Sequence, residues 1–145
     1  MPTPTASPTP TRTRRPATPT SPPTSTLTPL PTIQPPILLE PDDQVSFGER
    51  ANFRLSWQGN HTLKPDECYL VTVRYTHNGS EVRLPVCVQQ TSWWVDQGLY
   101  LEADQETGRV YYWSVAVVRK VIDANGRETF VPLSMPSEER SFYWR

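Results

Sequence analysis

The stretch CYLVTVRYTHNGSEVRLPVC, Cys68 to Cys87, decides how the rest of the chain is read. Tyr69, Val71, Val73 and Tyr75 fall at every second position, and after THNG the residues Val82, Leu84, Val86 and Val88 do the same. A period of two on both sides of an Asn-Gly pair predicts a half-buried antiparallel hairpin. Its ends carry the only two cysteines of the chain, which as bare residues could be a redox pair, half a metal site, a cross-strand disulfide or two separate thiols. Two registers are available. If Asn78 and Gly79 are the central residues of a tight turn, Cys68 faces Gln89, Cys87 faces Leu70, and the cysteines are diagonal at roughly 7 to 8 Å between Cα atoms, near the limit for bridging. A four-residue loop, Thr76 to Gly79, sets Cys68 opposite Cys87 at about 4.5 to 5.5 Å. Both registers keep Val71, Val73, Leu84 and Val86 on one face and both cysteines on the other. We expect a Cys68–Cys87 disulfide over the four-residue turn, and with it an oxidising compartment.

The same period continues outward. ILLEP reads as a first strand, and ANFRLSWQ alternates Ala51, Phe53, Leu55 and Trp57 against Asn52, Arg54, Ser56 and Gln58. TSWWV is a short strand, VYYWSVAVVRKVI a long one, and DANG turns the chain so that RETFVPL pairs back as the arm of a protruding hairpin. RSFYWR closes the set, and no segment holds a helical period for more than two turns. The order predicts an all-β fold, a seven-stranded antiparallel β-sandwich over residues 36–145.

On these residues the chain resembles a fibronectin type III module or a close immunoglobulin-like relative. LSW (Leu55 to Trp57) sits where that family keeps a core Trp, and YLVTVRY matches its third strand. TSWWVDQGLYL is similar to its Thr-Ser-aromatic strand, and LSMPSEERSFYW to the Ser-x-Pro-Ser lead into its last strand. YYWSVAVV resembles the penultimate strand. The resemblance makes Tyr111 the tyrosine-corner residue, with Trp57 and Trp113 in the core. Two departures are visible: LEADQETG replaces the usual Leu-x-Pro-Gly before Tyr111, and the hairpin at Asn125-Gly126 is long for the family.

The first 36 residues hold 12 of the 17 prolines, eleven threonines and three arginines, Arg12, Arg14 and Arg15, with no acid and no aromatic. Such a segment cannot bury enough surface to offset its ordering entropy, so residues 1–35 are expected to be a disordered Pro/Thr-rich linker. Polyproline II geometry lets it reach on the order of 100 Å. Three of the 14 basic residues and none of the 15 acids lie there, which leaves the remainder at −4. A mildly acidic domain argues against nucleic acid. No stretch approaches the roughly 18 apolar residues of a membrane span, and the N-terminus lacks the apolar segment of a signal peptide.

Candidate chemistry is thin. The two histidines, His61 and His77, fall in predicted turns, away from any nucleophile-base pattern. Cysteines nineteen positions apart match no zinc spacing. Glu102, Asp104 and Glu106 alternate as in a calcium loop, but the glycine falls one position late and Trp113 stands where a bidentate Glu is needed. We therefore expect no catalytic residue, metal or cofactor. Trp57, Trp93 and Trp113 share phase with aliphatic residues, whereas Trp94, and with it Trp144 or Tyr112, is left to face outward. Asn60-His61-Thr62 and Asn78-Gly79-Ser80 are glycosylation sequons in turns.

The expectation is a non-catalytic, monomeric, extracellular or cell-surface spacer or protein-interaction module, tethered by its stalk to a larger surface or secreted protein. Its partner would be a protein or cell-surface ligand, met by Trp94 and by the hairpin tip with Asp123, Asn125 and Arg127. The alternative is an accessory carbohydrate-binding module of a polysaccharide-active enzyme, since exposed aromatics stack on flat apolar faces.

Overall fold

The computed structural model describes residues 1–12, 14–18 and 33–145. Among these, strands make up nearly all the regular structure: β1 (Ile37–Glu40), β2 (Val45–Phe47), β3 (Arg54–Gln58), β4 (Glu67–His77), β5 (Ser80–Val88), β6 (Ser92–Trp94), β7 (Val110–Ile122), β8 (Glu128–Pro132) and β9 (Arg140–Trp144). One sheet has the order β1-β3-β6 and the other β2-β9-β7-β4-β5, with β8 also on β7. The inward faces meet in one core, where Leu55 and Trp57 of the small sheet are buried with Val71, Val73, Tyr111, Trp113, Val115 and Phe142 of the large one. All but Phe142, whose strand was read without a phase, lie in the phase that alternation predicted.

β7 is the spine of the large sheet. One edge pairs with β4 from Tyr112 to Arg119; the other pairs with β9 over Val110–Trp113 and with β8 over Val118–Ile122. Between β9 and β8 no strand covers that second edge, and LSMPSEER covers it instead. Val115 donates its N–H to the Ser137 hydroxyl at 2.9 Å and Val117 to that of the buried Ser134 at 2.9 Å. Ser137 and Leu133 return backbone N–H bonds to the Val115 and Val117 carbonyls at 2.8 Å each.

β2 was not read from the sequence. It runs parallel to β9, an exception to the antiparallel expectation, with Val45 beside Phe142 and Phe47 beside Trp144. Three residues are too few to show an alternation, and a partner nearly a hundred positions away needs no turn signal between them. Asp43 sets the approach, accepting from the Ser141 N–H at 2.7 Å and its hydroxyl at 3.1 Å.

The hairpin register corrects the expectation about its turn. His77 faces Ser80, Leu70 faces Cys87 and Tyr69 faces Val88, so Asn78 and Gly79, at φ 50° and 78°, form the tight turn. Cys68 and Cys87 are nevertheless bridged from diagonal positions, with Cα atoms 5.7 Å apart. The 7 to 8 Å assigned to that diagonal belongs to a flat ladder; twist shortens one diagonal at the expense of the other. The outer face beside the bridge is also more closed than expected. Cys68 and its neighbour Val118, which pairs with Pro132 on its other side, are both buried.

The ordered contacts start slightly ahead of residue 36. Ile33 packs against the core and bridges Ser134, and Pro36 is buried. Residues 1–12 and 14–18 are exposed and form no strand or helix, and the other linker positions ahead of Ile33, namely 13 and 19–32, lie outside the described residues.

Replacing both cysteines with alanine should lower unfolding free energy by about 3 kcal/mol, since a bridge closing a loop of this size restricts the unfolded chain. Denaturant unfolding of the two proteins tests this, and equal midpoints would show that the bridge adds no stability.

Candidate functional site

Alternation places the apolar residues that do not reach the core. In β3 and β6, Leu55 faces Trp93 toward the interior, while Arg54 faces Trp94 and Ser56 faces Ser92 on the outside. Trp93 packs on the core, Trp94 is 56% exposed, and the Arg54 guanidinium lies 5.8 Å from the Trp94 ring centroid. In β1 alternation buries Leu38 and leaves Ile37 and Leu39 54% and 48% exposed, and the pairing with β3 shifts register between Leu38 and Glu40. Two clefts cut this side of the molecule. One, of about 450 Å³, runs past Pro41, Val45, Phe47 and Trp94; the other, of about 590 Å³, runs past Leu39, Ser56 and Ser92. Both are walled by Glu40 and Arg54.

The hairpin tip differs from its expected use. The Asp123 carboxylate accepts from the N–H groups of Asn125 at 2.9 Å and Arg127 at 2.8 Å, and its carbonyl accepts from Gly126 at 3.0 Å. Asp123 therefore shapes the turn, and Asn125 and Arg127 are the exposed pair. The tip and Trp94 do not converge. Trp94 sits opposite Arg54 at the start of β3, while the arm leaves the sheet beyond Arg119, opposite Glu67 at the start of β4. The loop from β3 to β4 joins the end of one to the start of the other, so the two sites lie at opposite ends of the fold.

Tyr111, Trp57 and Trp113 occupy the interior as expected. The Tyr111 hydroxyl donates to the Leu99 carbonyl and accepts from the Ala103 N–H at 3.0 Å, tying β7 to the loop that precedes it. Burial pushes its phenol pKa up. Among the described residues the Trp57 and Trp113 indole nitrogens have no acceptor, and packing holds the rings. Trp144 corrects the sequence reading: it is buried, and its Nε1 donates to the Gly48 carbonyl at 3.0 Å. It lies at the end of β9, where alternation with Phe142 turns it inward. Tyr112 does face outward, beneath the Arg74 guanidinium at 4.3 Å.

Sequence reasoning missed one polar constellation. Glu67 at the head of β4 is buried, and its Oε1 lies 3.0 Å from His61 Nε2 while accepting the Lys64 N–H at 2.9 Å. These partners, His61 first, hold the Glu67 carboxyl below the usual carboxylate range. His61 and Lys64 also line a cleft of about 510 Å³ with Tyr69, Gln89 and Thr91. The glutamate's only sequence signal was its place at the end of a strand, with a histidine in the loop before it. Asp104 of the rejected calcium loop has a structural partner instead: its two oxygens accept the N–H groups of Asn78 and Gly79 at 2.7 and 2.8 Å. These bonds, Gly79's first, lower its pKa. Among the described residues no three His, Cys, Asp or Glu side chains are placed to hold a metal, and no helix is long and apolar enough to cross a membrane. No family model, curated protein or solved structure matches the chain.

Tyr111→Phe leaves the Ala103 N–H without its acceptor inside the core and the Leu99 carbonyl with only the Glu102 N–H. It should cost about 1 to 3 kcal/mol by denaturant unfolding, with little change in secondary structure; an unchanged midpoint would mean that the hydroxyl is dispensable.

Glu67, Asp104 and Asp43 all have lowered pKa values. Their contribution is therefore complete above the ordinary carboxylate range and fades as pH falls through the lower folded-state values. Stability should drop on acidification below about pH 4, less steeply in Glu67→Gln. Unfolding midpoints across that range check the sign, and identical slopes for the two proteins would remove Glu67 from the account.

Proposed function

We propose that this chain is a non-catalytic extracellular spacer or protein-interaction module, a fibronectin type III-like β-sandwich carried on a Pro/Thr-rich stalk of a larger surface or secreted protein. One observation carries the reading. Trp94 and Leu39, both exposed, each line one of the two clefts walled by Glu40 and Arg54 on the small sheet. Exposed apolar groups beside polar-walled clefts suit association. The charged groups with the most elaborate hydrogen bonding, Asp43, Glu67, Asp104 and Asp123, are bonded to backbone and hold loops in place. Arg140 does the same, giving its guanidinium N–H groups to the carbonyls of Leu38, Leu39 and Pro41. The Cys68–Cys87 pair supports an oxidising location, as does the stalk composition. The Tyr111 hydroxyl bond supports the family reading, because such corners carry a tyrosine bonded to upstream backbone.

A second reading, a carbohydrate-binding module, is favoured by Trp94 itself. Its ring is open to solvent on the outer face of the small sheet and is flanked by Arg54, Ser56 and Ser92, which can hydrogen-bond sugar hydroxyls while the ring stacks.

Cell-surface binding of the full chain separates the two readings. A protein ligand is lost on protease treatment of the cells and survives periodate; a glycan ligand behaves in the opposite way. In either case Trp94→Ala should weaken binding by roughly thirtyfold, the loss of about 2 kcal/mol typical of a buried interface tryptophan. Full binding by that variant would exclude this face.

A further inference from the structure

The chain contains two Asn-Gly peptides, each at the tip of a hairpin, and the structure treats them differently. We propose that Asn125-Gly126 is a site of spontaneous deamidation and isoaspartate formation, and that Asn78-Gly79, chemically the same dipeptide, is protected by Asp104.

The reaction needs only water. The Gly126 peptide nitrogen attacks Cγ of the Asn125 side chain. The new C–N bond closes a five-membered succinimide, the Cγ–Nδ2 bond breaks, and ammonia leaves with the proton lost from the Gly126 nitrogen. Water then opens the ring at either carbonyl. One opening leaves aspartate; the other leaves isoaspartate, with an extra methylene in the backbone. No redox partner is involved. Glycine favours the attack because no Cβ shields the nitrogen, and space is open around both glycines, with nothing within 4 Å of an added Cβ.

What differs is how firmly each attacking N–H is held. Gly126 gives its N–H to a neutral acceptor, the Asp123 carbonyl at 3.0 Å, in an exposed turn. That turn caps an arm of five residue pairs, from Val118–Pro132 to Ile122–Glu128, whose outer end includes Ile122 at 70% exposure. Such an end opens easily. Gly79 gives its N–H to an Asp104 carboxylate oxygen at 2.8 Å, and the other oxygen takes the preceding N–H, of Asn78, at 2.7 Å. Hydrogen bonds to a charged acceptor are about twice as strong as neutral ones. Asp104 is itself anchored, since its N–H donates to the Thr76 carbonyl at 2.8 Å and its carbonyl accepts the Thr107 hydroxyl at 2.8 Å. A nine-pair ladder stands behind the turn. The Gly79 nitrogen is free to attack the Asn78 side chain only once its N–H leaves the Asp104 carboxylate.

The product matters to the surface. Conversion at Asn125 adds a negative charge beside Arg127 and the Asp123 carboxylate, and the isoaspartyl form lengthens a turn whose shape depends on Asp123 accepting two N–H groups.

The test is peptide mapping by mass spectrometry of the intact chain, held at mildly alkaline pH and physiological temperature. Asn125 should convert at least about tenfold faster than Asn78, the ratio given by about 1.4 kcal/mol of extra opening cost, with isoaspartate among the products. Asp104→Asn should accelerate Asn78 and leave the Asn125 rate unchanged. An intact Asn125 overturns the proposal. So does wild-type Asn78 reacting as fast as Asn125, which would make Asp104 a base and not a clamp. If Asp104→Asn speeds both sites by unfolding the domain, amide hydrogen exchange in the unmodified chain decides. Slower exchange at Gly79 than at Gly126 supports the protection, and equal or faster exchange overturns it.

Discussion

The middle of β7 is buried on its inner face, and its backbone N–H and C=O groups must all find partners there. The rest of the fold can be understood as the supply of those partners. β4 covers one edge. Along the other, β9, the hydroxyls of Ser137 and Ser134, and then β8 follow in order. Pro136 stands between the two serines and has no N–H to give, so a regular strand could not continue through that segment; hydroxyls facing β7 fill the gap. Ser134 is buried for this reason, and the sequence Ser-x-Pro-Ser acquires a physical meaning.

A few side-chain bonds then fasten the sheets to each other and secure their edge strand and loops. Arg140 of β9 reaches three carbonyls on and just after β1. Asp43 holds β2 against β9, and Tyr111 secures the loop after β6 to the central strand. Between them the aromatic core closes, with Tyr111 stacked on Phe142 at 5.2 Å and Phe53 edge-on to Trp144 at 5.1 Å. These polar side chains tie strands and loops together. The small sheet's outer face, with Trp94, is one region where exposed apolar groups remain, Val121, Ile122 and Val131 of the β7–β8 arm being another, and its exposed aromatic beside a cleft makes it the proposed contact surface.

Element type was legible because strand periodicity is a local property. Tyr69 to Tyr75 and Tyr111 to Val117 were placed inward on alternation alone, and Trp94 outward by the same argument. What alternation could not settle was anything that depends on a second segment. β2 has three residues and a distant parallel partner. Trp144 lay near the chain end, without enough flanking residues to fix its phase. Glu67 became a buried carboxylate because His61 and Lys64 fold over it. Asp123 and Asp104 looked like free acids until the N–H groups of their turns were located.

The cysteines show where the division falls. Sequence by itself determined that Cys68 and Cys87 share a hairpin and a face, because alternation is unchanged by a shift of two in register. It also determined the two-sheet β architecture and the amphipathic phase of the long strands, since burial pattern and turn chemistry are written in neighbouring residues. Only the tertiary structure decided that the tight Asn78-Gly79 turn and the bridge coexist, because the twist that brings the diagonal to 5.7 Å is a property of paired strands. It alone also decided that Asp104, 25 residues further along, would clamp that turn.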